Sequence, residues 1–117
     1  MTMNEKTAIK TNLNGIVNVN KPLGITSHDV VYRLRKILNI KKIGHTGTLD
    51  PDASGVLPMC VGRATKTADM LTASDKQYIA EVTMGTATDT LDASGTVTDT
   101  ADVNVTEADI KKVLSEF

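Results

Sequence analysis

The reactive options of this sequence are concentrated in one stretch, Gly44-His45-Thr46-Gly47-Thr48-Leu49-Asp50-Pro51-Asp52-Ala53-Ser54-Gly55-Val56-Leu57-Pro58. Asp50 precedes a proline, whose ring disfavours helical backbone for the residue before it. Glycines 44, 47 and 55 allow turns and close approaches that a Cβ would block. A carboxylate held on a stiff, non-helical loop can serve as nucleophile or base toward one substrate atom. The same composition also makes an ordinary turn, because Asp-Pro and Gly/Thr/Asp are common turn material. A metal site built from His45, Asp50 and Asp52 is disfavoured. Their spacing matches no ligand pattern, neither a cysteine nor a second histidine is near, and Asp-Pro-Asp chelates poorly.

Over fifteen consecutive positions this stretch resembles the catalytic motif of pseudouridine synthases of the TruB type, approximately G-H-T-G-T-L-D-P-x-A-[TS]-G-V-L-P. That family includes the archaeal and eukaryotic guide-RNA-dependent members. Lys21-Pro22, the run Val61 to Lys66, Tyr78 after Asp75-Lys76, and Thr88-Asp89-Thr90 with Asp92 and Gly95 resemble further family segments. The resemblance implies isomerisation of a uridine in the T-loop of tRNA (uridine-55) to pseudouridine. It implies no cofactor, metal or ATP, since substrate and product are isomers. Asp50 matches the obligatory aspartate, His45 the histidine that contacts the RNA loop, and Tyr78 the tyrosine that stacks on the flipped-out uridine; Lys21 and Pro22 match residues that support the loop. Attack on ribose C1′, addition to uracil C6 and abstraction of a ribose proton all remain open for Asp50. Each needs an ionised carboxylate, which a nearby cation would favour. Flipping the base costs roughly a few kcal/mol, against ~1–3 kcal/mol recovered by stacking on an aromatic ring.

The likeness spans residues 14–117 and implies only the N-terminal half of a pseudouridine synthase catalytic domain. The family's enzymes are considerably longer. Their remaining part supplies an arginine that pairs with the aspartate, further strands and a PUA-like RNA-binding domain. A piece of this extent is expected to be weakly active or inactive, and to self-associate through open sheet edges and apolar surface. The alternative reading is a non-catalytic tRNA-binding fragment or a degenerate paralogue.

The elements that must position the loop are legible as local patterns. Residues 1–13 read as a disordered tail. Gly15 to Val19 alternates like a short strand. Thr26 with Asp29 forms a capping-box variant that opens a helix, with Val30, Val31, Leu34, Ile37 and Leu38 on one face. Val56 to Val61 reads as a buried strand with Pro58 at an edge or bulge position. A short helix follows Gly62, then a strand over Tyr78 to Met84. A long polar connection over Gly85 to Gly95 leads to a return strand at Thr96 to Thr98. Thr106 and Asp109 cap a last amphipathic helix. The expected class is α/β of the α+β type, a mixed and mainly antiparallel sheet with flanking helices.

Composition adds bounds. The 117 residues include three aromatics, so the core must be aliphatic. Cys60 stands alone, which excludes an internal disulfide and fits a cytoplasmic location. The N-terminal stretch lacks a signal peptide's apolar segment, and no run is long enough to span a membrane. The net charge of −1 hides an asymmetry: residues 1–67 hold ten Lys/Arg and four Asp/Glu, whereas 68–117 hold three and ten. The basic half contains the loop, which suits a phosphate backbone. Lys21, Arg33, Lys41, Lys42, Arg63 and Lys66 are the candidate RNA contacts, with the T-arm of tRNA as partner.

Overall fold

A computed structural model describes residues 12–117. The tail expected over 1–13 falls almost wholly outside them. The chain is mixed α/β with antiparallel sheets, and it divides into two compact units between Lys76 and Gln77.

The first unit carries β1 (Gly15–Lys21), α1 (Ser27–Leu38), β2 (Ile43–His45) and β3 (Gly55–Val61), then a 3-10 turn (Gly62–Thr67) and α2 (Ala68–Thr72). Its sheet has the order β1-β3-β2, antiparallel throughout, with Val17 opposite Met59 and His45 opposite the same residue on the other side. The apolar run is therefore the central strand. Leu57, Met59 and Val61 share one face by the two-residue alternation and pack with Val30 and Val31 of α1 and Ile43 of β2. Cys60, on the opposite face, is fully buried as well.

Helix α1 begins as its sequence dictates. Thr26 Oγ accepts from Asp29 N–H at 3.0 Å, while Asp29 Oδ2 accepts from Thr26 N–H at 2.8 Å and from its hydroxyl at 2.7 Å. The threonine hydroxyl and amide together hold the Asp29 carboxyl below the ordinary carboxylate pKa. A depressed folded-state pKa contributes stability that is complete above the unfolded value and lost as pH falls through the folded one. Thr26→Ala should therefore cost about 1 kcal/mol at neutral pH and flatten the acid limb of α1 stability. Urea melts at neutral pH and below the ordinary carboxylate pKa check both. At the other end, Asn39 adopts a left-handed conformation (φ 53°) that stops the helix and returns Ile40 toward the core.

Four expectations need correction. Ile37 is three-quarters exposed, not on the buried stripe; it sits at the stripe's margin in the last turn. Pro58 lies in the central strand rather than at an edge or bulge. It is tolerated there because β2 has already ended: its carbonyl accepts from Thr46 N–H at 3.0 Å, on the side where its own N–H would have pointed. Residues 43–45 form a strand that the glycine-rich reading left within a loop.

The fourth concerns the second unit, where no strand forms over 78–84. Among the described residues nothing pairs with that segment, and Ile79 and Val82 stay exposed. The hairpin instead joins β4 (Thr86–Thr88) to β5 (Val97–Thr100), followed by α3 (Glu107–Leu114) with its own capping box at Thr106. Turn chemistry closes the hairpin loop. Asp92 Oδ1 accepts from Ser94 Oγ, Ser94 N–H and Thr90 Oγ, which lowers its pKa, and Asp89 Oδ1 accepts from Thr96 N–H. No described helix is long and apolar enough to cross a membrane.

Candidate active site

The loop between β2 and β3 is held at both ends and in its middle. At the entry, His45 Nδ1 lies 2.6 Å from the Gly47 carbonyl. A carbonyl only accepts, so Nδ1 carries the proton and Nε2 is not engaged by that carbonyl. Gly47 has φ +77°, a conformation that favours glycine. A Cβ there would sit 3.6 Å from Lys76 Cε, so the Lys76 stem crosses the loop at this point. Thr46 is buried, and its amide and its hydroxyl both donate to the Pro58 carbonyl, at 3.0 and 3.1 Å.

In the middle, Asp50 to Ala53 form a β-turn closed by Ala53 N–H on the Asp50 carbonyl at 3.0 Å. Aspartate at the first position and proline at the second suit such a turn. The residues on either side of Asp50 are gripped from the first turn of α1 and from the β1–α1 connection. Ser27 Oγ donates to the Leu49 carbonyl at 3.0 Å and accepts from the Leu49 N–H at 2.9 Å. Gly24 N–H donates to the Pro51 carbonyl at 2.8 Å. Asp50 is thus fixed along the backbone while its residue surface is exposed. Among the described residues no donor reaches its carboxylate and no ion pair includes it; neither Arg63 nor Lys66 pairs with it. Nor do three His, Cys, Asp or Glu side chains converge in a metal-binding group among those residues.

Lys21 requires correction as an RNA contact. It is fully buried, and its ammonium donates to the carbonyls of Ile25 at 2.7 Å and Pro22 at 2.9 Å. It braces the very turn from which Gly24 reaches Pro51. Arg33, Lys41, Lys42, Arg63 and Lys66 are exposed. Arg35, on the same helix, spends its guanidinium on the Ile43 carbonyl at 3.1 Å and anchors β2. Lys36 lies 4.4 Å above the Tyr32 ring. Tyr78 is exposed and belongs to the second unit, whereas His45 and Asp50 belong to the first. Sequence reasoning missed Ser27 and Gly24. A serine in the first turn of a helix looks like helix-capping chemistry, and its partner 22 residues away leaves no local sign.

Comparison with known proteins gives the following. The family model described as TruB family pseudouridylate synthase (N terminal domain) matches residues 35–117. The tRNA pseudouridine synthase B of Clostridioides difficile (strain 630) is 65% identical over 83 residues, which are 71% of this chain and 28% of that protein. The protein of the same name from Bacillus cereus (strain ATCC 14579) is 57% identical over 106 residues, 89% of this chain and 34% of its own. The chain thus spans about a third of the length of these relatives. A solved structure described as an H/ACA RNP bound to a substrate RNA containing 2'-deoxyuridine aligns with 50% of this chain and 18% of its own, at 47% identity and a TM-score of 0.47.

Proposed function

Because this chain belongs to the TruB family of pseudouridylate synthases, we propose that it is the catalytic-loop portion of an enzyme that isomerises uridine to pseudouridine in tRNA, at uridine-55 of the T-loop. The observation that carries the reading is the placement of Asp50: a carboxylate in a turn, gripped through both neighbouring residues and open to an incoming ligand. Binding alone has no need for a carboxylate held in this way.

In this reading the target uridine leaves its stack and enters beside Asp50. The carboxylate attacks C1′, adds to C6 or removes a ribose proton. The N-glycosidic bond breaks, the uracil turns over, C5 bonds to C1′ and gives up its proton, N1 gains one, and the carboxylate is returned unchanged. His45 contacts the RNA loop through Nε2, the nitrogen that the Gly47 carbonyl leaves available. Tyr78 stacks on the flipped base. Arg33, Lys41, Lys42, Arg63 and Lys66 meet the phosphate backbone of the T-arm, and Lys21 holds the protein side of the site. The lone, buried Cys60 suits the cytoplasmic location proposed with this function. Self-association through the outer edge of β1, where Ile16 and Val17 are exposed, is part of the same proposal.

The test measures pseudouridine at the T-loop of unmodified tRNA. It compares this 117-residue chain with a lengthened one, in which the sequence continues into the remainder of the Bacillus cereus relative. Turnover is expected from the lengthened chain and little from the short one. A lengthened chain that forms no product sinks the reading. A second reading, tRNA binding without chemistry, is favoured by the exposed cations of the first unit together with the absence of an ion partner for Asp50 among the described residues. Salt-dependent tRNA affinity from both chains, with product from neither, would establish it.

A further inference from the structure

We propose that Ser27 is a positioning residue for Asp50, and that with Gly24 of the β1–α1 connection it makes a two-point clamp on the loop. Ser27 is 2% exposed, and its hydroxyl engages both backbone groups of one residue, Leu49. It acts as a strand partner one residue long. Gly24 N–H engages the carbonyl of Pro51. The two grips are two residues apart, and Asp50 lies between them. A backbone fixed on both sides leaves the carboxylate only its own side-chain rotations, so its reach toward a substrate atom is set by α1. The hydroxyl is required for this. An alanine at 27 would still suit the helix, but would leave the part-buried N–H and carbonyl of Leu49 without their protein partner.

The proposal rests on the pseudouridine synthase reading, and its test separates the two. Ser27→Ala, Ser27→Thr, Thr26→Ala and Asp50→Asn are made in the lengthened chain and assayed on unmodified tRNA. Hydrogen exchange at the Leu49 amide is followed in the 117-residue chain. Ser27→Ala is expected to lower kcat by roughly 10–100-fold with KM little changed, since small displacements of a reacting group cost rates of that order. It should also speed Leu49 exchange. Ser27→Thr, which keeps the hydroxyl, should recover most of the turnover. Thr26→Ala loses the neighbouring helix cap and should lower the melting temperature while kcat stays within about two-fold of the parent. Wild-type kcat in Ser27→Ala overturns the proposal, as does an equal kcat loss in Thr26→Ala, which would reduce the effect to helix stability. If Asp50→Asn turns over normally, the functional reading itself has failed, whatever Ser27→Ala shows.

Discussion

Asp50→Asn in the lengthened chain is expected to abolish pseudouridine formation, by at least about 1,000-fold in turnover, the scale on which loss of a nucleophile or base is felt. Affinity for tRNA should persist, because the amide is isosteric and the cations proposed to meet the phosphate backbone are other residues. The structure makes this substitution unusually clean. Among the described residues no donor or cation touches the Asp50 carboxylate, so changing it disturbs no hydrogen bond in the fold. Its backbone carbonyl, which closes the turn with Ala53, is untouched. Any loss of rate therefore reports chemistry rather than folding, and an unchanged melting temperature is the control. A single-turnover assay with tRNA in excess of its dissociation constant separates rate from binding. Turnover that survives the change removes Asp50 from the mechanism.

The second large effect is on stability. Lys21→Ala is expected to destabilise the first unit by about 3 kcal/mol, combining a buried cavity with two carbonyls that lose their donor. That is a substantial share of the net stability of a small domain. Lys21→Met keeps most of the buried stem and removes only the charge-assisted hydrogen bonds, so it should cost about 1–2 kcal/mol. The described residues offer this ammonium no carboxylate; the Pro22 and Ile25 carbonyls, aimed inward by the turn, take that place. Urea melts of the two variants give the ordering. Equal melts for Lys21→Ala and the parent would contradict the burial of Lys21.

What the sequence made legible was local. The capping box at Thr26, the stripe of Val30, Val31, Leu34 and Leu38, and the apolar run ending at Val61 each lie within one element and follow from its periodicity. The loop around Asp50 was legible in the same way, as glycine and proline chemistry. The rest depended on partners distant in sequence. Pro58 reads as an edge residue until β2 is seen to end before it. Lys21 reads as a surface cation until its turn folds back over it. The alternation from Tyr78 to Met84 reads as a strand, yet alternation supplies no neighbour to pair with, and the hairpin forms further along.

The grips on Leu49 and Pro51 have a consequence for how the loop keeps its shape. Both come from outside the β2–β3 hairpin that carries it, one across 22 positions of sequence. Neither is a rung of that ladder, so the geometry around Asp50 depends on the first helix as well as on the strands. Loss of the Ser27 grip alone would free the backbone at Leu49 while every rung of the β2–β3 ladder stays paired.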